Sequence, residues 1–177
     1  MDPCGFQPST RGLTRPRQGG VFTDGLEVLT LGGRTPATDL RVQPVGGQEG
    51  LKVVGVRLAS PDRRIGSLQL IDTWPPVDPA LSPNSLVPTK GTRITPRAVD
   101  PAGWELLVGI RVTRPGIHER AGLRISYRVD GRDYVEYFPA YLRVCAGRVR
   151  APRRCEVPSD WKERQERALG REDRQSP

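Results

Sequence analysis

Two alternating runs on either side of a tight-turn dipeptide constrain the fold of this chain most strongly. In GLRISYRV, at 122–129, every second residue is apolar, which is typical of a strand with one buried face. Asp130-Gly131 follows, a dipeptide favoured in type I′ turns, and DYVEYF at 133–138 is the predicted return strand. A two-residue turn places Arg128 opposite Asp133 and Tyr127 opposite Tyr134, so we expect an ion pair on one face and an aromatic pair on the other.

Further short apolar runs, separated by Gly, Pro and Asp, precede and follow this hairpin. They are LEVLTL at 26–31, LRVQPV at 40–45, LKVVGVRLAS at 51–60, IGSLQLI at 65–71, WELLVGIRVT at 104–113 and AYLRVC at 140–145. Such spacing is typical of sandwiches and barrels. In WELLVGIRVT both faces carry apolar side chains, which indicates a central strand. The predicted fold is an all-β, immunoglobulin-like antiparallel β-sandwich.

The chain of 177 residues has room for one such domain with tails. Residues 1–24 lack any apolar periodicity and are predicted to be a disordered arm, and 25–147 are predicted to form the sandwich. Residues 148–177 are expected to form a basic loop, a short helix and a tail. Asp160 and Glu163 form a capping box for that helix, whose apolar stripe is thin, and Gly170 is predicted to end it.

A proline-rich segment at 72–101 interrupts the strand pattern. It contains seven prolines and only weak strand signals near Leu86–Val87 and Arg93–Thr95. Proline cannot donate a hydrogen bond to a central ladder. The segment is therefore either a crossover between sheets with edge pairing, which we favour, or a binding loop.

The net charge of +8 raises the question of a nucleic-acid partner. Arginine outnumbers lysine by 25 to 3, however, and GC-rich codon usage produces that bias without selection for binding. No apolar run approaches the roughly 20 residues that span a bilayer. The first twenty residues lack the apolar middle of a secretory signal. The sequence as written therefore predicts a cytoplasmic location.

The cysteines favour the opposite compartment. Cys145 closes a predicted strand, and Cys155 follows after a polar loop long enough to bring the two sulfurs together. A disulfide there would stabilise the fold by roughly 3 kcal/mol and would imply an oxidising compartment, with an export signal upstream of this sequence. The alternative is two unpaired thiols, and the sequence leaves both open.

Few residues are suited to catalysis. The only histidine, His118, lies in the predicted turn GIHERAG, whereas catalytic zinc and copper sites need two or more. No nucleophile motif occurs. Glu136 with Glu105 or Asp133 is interpreted as part of a solvated face rather than an acid pair. The sequence therefore predicts no enzyme, no catalytic or metal site and no cofactor.

The segment GWELLVGIRVTRPGIHERAGLRISYRVDGRDYVEYFPAYLRVC resembles immunoglobulin-like β-sandwich proteins of actinobacteria. The resemblance rests on its tryptophan-led strand, its RPG turn and its tyrosine-bearing hairpin, and extends over about residues 25–145. It implies an extracytoplasmic sandwich, often behind a membrane anchor that this sequence lacks, and implies no site residues.

Two functional hypotheses follow. The first is a non-enzymatic interaction module, associated with the cell envelope, that binds a protein or a surface polymer through sheet edges and loops. The alternative is a cytoplasmic nucleic-acid-binding protein that uses its arginines. The candidate partner surface comprises Trp74, Arg124, Arg128, Tyr137 and Arg143.

Overall fold

The computed structural model describes residues 9–14, 19–47, 49–63, 72–77, 84–147 and 157–175. The strands within them are β1 (Ser9–Thr14), β2 (Val21–Leu29), β3 (Thr38–Val45), β4 (Leu51–Ala59), β5 (Leu86–Pro88), β6 (Trp104–Val112), β7 (Gly116–Arg120), β8 (Gly122–Val129), β9 (Arg132–Phe138) and β10 (Ala140–Ala146). A single described helix, α1 (Trp161–Gln175), follows. The prediction of an all-β sandwich with a short C-terminal helix is confirmed.

Strand β6 is the central strand of the first layer, as its sequence predicted. It pairs antiparallel with β2 on one side and β4 on the other, in the order β2-β6-β4-β5. Leu106, Val108 and Ile110 point into the main core. Leu107, on the other face, is fully buried as well and packs with Ala59. Burial on both faces explains why the β6 sequence is apolar almost throughout.

Two bent strands form most of the second layer. Ala121 alone separates β7 from β8, and Pro139 alone separates β9 from β10. β8 pairs with β9 and β7 pairs with β10, so the two bent strands form one long hairpin. β3 joins this layer beside β8, and β1 joins it beside β10. Because proline has no N–H to donate, Pro139 accounts for the break in the ladder at the bend.

The predicted hairpin register is confirmed. Tyr127 lies opposite Tyr134 with the ring centroids 5.6 Å apart, and Arg128 Nε lies 3.0 Å from Asp133 Oδ1. Asp130 and Gly131 have φ angles of 49° and 77°, the left-handed values that a type I′ turn requires at both central positions.

The predicted disordered arm at 1–24 is partly ordered. Ser9–Thr14 is strand β1, parallel to β10 with Thr14 opposite Cys145, and β2 begins at Val21. Backbone pairing to a sheet edge needs no alternating side chains, so STRGLT carries no pattern from which the strand could be predicted. Residues 1–8 and 15–18 lie outside the described part of the chain.

The two layers enclose one main core. It draws on Phe22, Leu58, Leu106, Val108 and Ile110 from the first layer and on Leu123, Ile125, Phe138, Leu142 and Val144 from the second.

The described part of the proline-rich segment pairs at a sheet edge, as expected of a crossover. β5 pairs with β4, placing Val87 opposite Leu58 at the end of the first layer. Further on, Ile94 forms a bridge with Ala37, just before β3 of the second layer. The predicted strand at 65–71 lies outside the described residues.

Helix α1 packs on the outer face of the second layer, at the bend of the hairpin. The Trp161 ring lies 5.6 Å from the ring of Tyr141, and Gln165 Nε2 donates a 2.7 Å hydrogen bond to the carbonyl of Ala121. The predicted start after Asp160 is confirmed, but the helix continues past Gly170 to Gln175. A glycine costs a helix about 1 kcal/mol without forbidding helical dihedrals. This helix is too short and too polar to cross a bilayer, and it is the one helix among the described residues.

Candidate binding site at the β8–β9 hairpin

An apolar pocket of about 230 Å³ lies against the inner face of the β8–β9 hairpin. Strand alternation places Tyr127 and Val129 of β8, and Tyr134, Glu136 and Phe138 of β9, on this one face. All five line the pocket. Burial falls along β9 from Phe138, which is buried, through Glu136, which is half-buried, to Tyr134, which is exposed, so this face is less covered toward the turn.

The loop between β2 and β3 forms the opposite wall. The lining residues on that side are Leu29, Thr30, Leu31, Gly32, Gly33, Arg34 and Thr35, followed by Ala37, Leu40 and Ile94. Leu29, Ala37, Leu40 and Ile94 also belong to the main core, so the floor of the pocket is continuous with the core. The floor of the pocket is therefore packed, whereas its rim is exposed at Gly32, Gly33 and Arg34 of the loop and at Tyr134 of β9.

Glu136 introduces a charge into this apolar wall. Its Oε1 accepts a hydrogen bond from the hydroxyl of Tyr127, and the carboxylate is half-buried. No basic group of the described residues lies within 4.0 Å of it; Arg34, the basic residue of the lining, is exposed and belongs to the loop. The carboxylate thus has a hydrogen-bond donor but no counter-charge within ion-pair distance in the described part of the chain.

Strand β9 is also an edge strand. In the order β3-β8-β9 it pairs only with β8 among the described residues. In a two-residue hairpin the pair flanking the turn exchanges hydrogen bonds, and hydrogen-bonded and non-hydrogen-bonded pairs then alternate. The N–H and C=O groups of Asp133 and Val135 consequently point away from β8. Val135 is 43% exposed and its neighbour Tyr134 is 42% exposed, so the open edge is accessible.

Three of the five predicted surface residues lie together on the outer face of the same hairpin. Arg124 lies directly opposite Tyr137, and Arg128 lies on the same face of β8. Both arginines have partners: Arg124 Nη1 donates to Gln43 Oε1 at 3.1 Å, and Arg128 bonds to Asp133 and Asp39. The hydrogen bond to Asp133 is the main reason that the pKa of Arg128 is raised above its ordinary value.

The other two predicted surface residues lie elsewhere. Arg143, in β10, forms an ion pair with Glu119 of β7, and its burial lowers the pKa of its guanidinium. Trp74 lies on the outer face of the first layer, with its ring over the facing glycines Gly55 and Gly109. The five residues therefore do not form one surface.

Cys145 is 2% exposed and lies on the face of β10 that also carries Tyr141, the face that α1 covers. Cys155 lies outside the described residues, so the predicted disulfide between them stays a prediction.

Two other sequence interpretations need correction. His118 lies in strand β7, opposite Val144, rather than in a turn, and its Nε2 is 3.0 Å from the carbonyl of Arg114. The solvated face predicted for Glu136 and Glu105 is not formed: Glu105 is fully buried and lies 3.4 Å from Arg63 Nε, and Glu136 is half-buried in the pocket wall. Among the described residues, no three His, Cys, Asp or Glu side chains are grouped so that they could hold a metal ion.

Sequence reasoning missed the pocket. The sequence did contain a signal for it. Alternation with period two places Glu136 on the same strand face as Tyr134 and Phe138, and a charged side chain is unusual on an apolar face. The wall at 30–35 has no such pattern, since a loop over a hairpin face depends on the tertiary fold.

No protein-family model matches this sequence, and no curated protein matches it significantly.

Proposed function

We propose that this chain is a non-enzymatic interaction module that binds an extended polypeptide segment along the open edge of β9. The observation that carries the proposal is that one strand is both an accessible edge and a wall of an apolar pocket. In recognition by strand addition, backbone hydrogen bonds to the edge supply affinity, and pockets for alternate side chains supply specificity.

The edge is suited to pairing with another strand. β9 is seven residues long, contains no proline and leaves the backbone groups of Asp133 and Val135 facing outward. Natural proteins usually protect such edges with proline, bulges, very short strands or charged side chains, including charges that point inward. β9 has neither a proline nor a register shift, so its backbone groups stay accessible, and the inward charge of Glu136 discourages pairing with strands that do not complement it.

The pocket supplies the second half of the recognition. Tyr134, Glu136 and Phe138 project inward at every second position of β9. A strand added beside β9 projects its own alternate side chains to the same side, next to those three. At about 230 Å³ the pocket is smaller than those that hold drug-sized ligands, and one or two side chains would fill it.

The nucleic-acid alternative receives less support from the arginines that prompted it. Arg128 and Arg143 are already paired with carboxylates, and Arg124 with an amide. Paired arginines contribute less to a field that attracts phosphates. Binding of single-stranded DNA that weakens steeply with added salt would favour this alternative over the peptide function.

A place at the cell envelope forms part of the proposal only if Cys145 is paired with Cys155. A protein partner with extended segments is compatible with either compartment, so the peptide function does not depend on that pairing.

The proposal is tested by selecting random decapeptides displayed on phage against the whole protein. The selected peptides are then titrated against two variants of one edge residue. Val135→Pro removes the outward N–H donor without removing a bond to β8, whereas Val135→Thr keeps the donor and the β-branched shape. We expect binding to fall at least tenfold in Val135→Pro and to change little in Val135→Thr.

Two results would contradict the proposal: no enrichment of peptides over an unrelated β-sandwich, or equal binding by wild type and Val135→Pro. Size-exclusion chromatography of the wild type gives its oligomeric state. A dimer that Val135→Pro abolishes would show that the edge of β9 binds a second copy of the chain and not a foreign segment. The circular dichroism spectrum and unfolding midpoint of Val135→Pro show whether the strand itself survives.

A further inference from the structure

We propose that the pocket selects a basic side chain with an aliphatic stem, lysine in the first instance, from the segment that pairs with β9. This inference rests on the function proposed above and names the chemistry of its specificity. It follows from the combination of Glu136 with the aromatic wall around it.

The charge of Glu136 is the first argument. A carboxylate in an apolar, half-buried wall is costly unless a cation or several donors stabilise it. Here the Tyr127 hydroxyl supplies one hydrogen bond to Oε1, and no basic side chain of the described residues lies within ion-pair distance. By contrast, the buried carboxylates of Asp24 and Glu105 each have an arginine within that distance. The site is therefore complementary to a cation from outside.

The aromatic wall is the second argument. Tyr127 and Tyr134 are stacked across the two strands, with 5.6 Å between centroids and 14° between ring planes. Such rings pack against the methylene stem of a lysine and attract an ammonium group near their faces. A small acidic or polar side chain would leave this apolar surface uncovered, and a purely apolar one would leave the carboxylate without a counter-charge.

The geometry of strand addition is the third argument. In a strand paired to β9, the residue directly opposite Glu136 points to the same face, with its Cβ atom about 4.5–5.5 Å from that of Glu136. The stem of a lysine at that position can lie along the wall while its ammonium group reaches the carboxylate. Arg34, which also lines the pocket, is exposed and forms no ion pair with Glu136.

The test uses three short peptides that alternate threonine and valine and differ only at a central residue, which is lysine, acetyl-lysine or norleucine. Each is titrated against the whole protein and against Glu136→Gln, whose amide oxygen can still accept the hydrogen bond from Tyr127. We expect the lysine peptide to bind about three- to tenfold more tightly than the other two. That preference is expected to disappear in Glu136→Gln and to persist in Val135→Thr.

The outcomes separate this inference from the function on which it rests. If all three peptides bind equally and Val135→Pro weakens all three, strand addition stands and lysine selection is overturned. If no peptide binds but hexylamine shifts the Tyr134 resonances in wild type and not in Glu136→Gln, the cation site stands and strand addition is overturned. A lysine preference retained in Glu136→Gln would also overturn the inference.

Discussion

Asp24 and Arg120 form an ion pair that joins the two layers inside the sandwich. Asp24 Oδ2, in β2, lies 2.7 Å from Arg120 Nη1, in β7, and both side chains are at most 2% exposed. Arg120 also donates from Nε and Nη2 to the carbonyl of Ala140, at 3.1 and 3.0 Å. The guanidinium therefore links β2 to both β7 and β10, next to the bend of the long hairpin.

Removing one partner of this pair leaves a buried charge uncompensated. Asp24→Asn is expected to lower the free energy of unfolding by about 3–5 kcal/mol, measured by urea denaturation. Asp133→Asn is the matched control, because it removes an aspartate that bonds to an arginine at a similar distance but is 76% exposed. Equal midpoints for the two variants would contradict a structural role for the buried pair.

The second prediction concerns the contact between Trp74 and the first layer. A Cβ on Gly109 would lie 2.3 Å from Trp74 Cδ2, too close unless the ring moves. Gly109→Ala is therefore expected to destabilise the protein by about 1–3 kcal/mol. In a Trp74→Ala background the same substitution should cost much less, because the clashing ring is gone. Additive effects in this double-mutant cycle would show that the contact is energetically unimportant.

The third prediction concerns pH and the start of α1. The hydrogen bond from Arg164 to Asp160, 2.9 Å long, is the main cause that holds the pKa of Asp160 below its ordinary value of 3.8. Arg164 and Arg167 are the cations that lower this pKa. As the pH falls, the unfolded chain takes up the proton first, because its Asp160 has the ordinary pKa. The stabilisation from the ionised carboxylate is therefore complete above that pKa and is lost as the pH falls through the lower pKa of the folded protein.

Thermal midpoints of wild type and Asp160→Asn, which keeps a capping side chain, should accordingly differ at pH 6. The difference should shrink as the pH is lowered from 6 to below 3.8. A difference that stays constant over this range would show that the carboxylate charge does not contribute.

The fourth prediction is the disulfide between Cys145 and Cys155. Digestion of natively expressed protein without reductant should yield a linked pair of peptides containing these two cysteines, and Cys4→Ser should leave the link intact. Cys145→Ser is expected to cost roughly 3 kcal/mol of stability. Complete alkylation of both thiols in the native protein would contradict the pairing and would remove the argument for the cell envelope.

The hairpin and the central strand could be predicted from sequence because their information is local. Asp130-Gly131 determines the turn, the turn determines which residues face each other, and alternation determines the faces. Strand β1 could not be predicted, because its pairing partner β10 is more than a hundred residues away and its side chains carry no pattern.

The partner surface expected from sequence lies only partly in one place. Arg124, Arg128 and Tyr137 share one face because alternation places them there. Trp74 lies on the other layer because a loop carries its ring over Gly55 and Gly109, a long-range contact that the sequence does not encode locally. The pocket, too, depends on how the loop between β2 and β3 lies over the hairpin.

The central claim, strand addition at β9, is tested most directly by amide hydrogen exchange with and without a selected peptide. Free protein should show rapid exchange at the outward-facing amides of Asp133 and Val135 and slow exchange at Tyr134 and Glu136, which bond to β8. Saturating peptide should slow Asp133 and Val135 selectively. Unchanged exchange at these two amides in a saturated complex, or new protection at another sheet edge, would contradict the account.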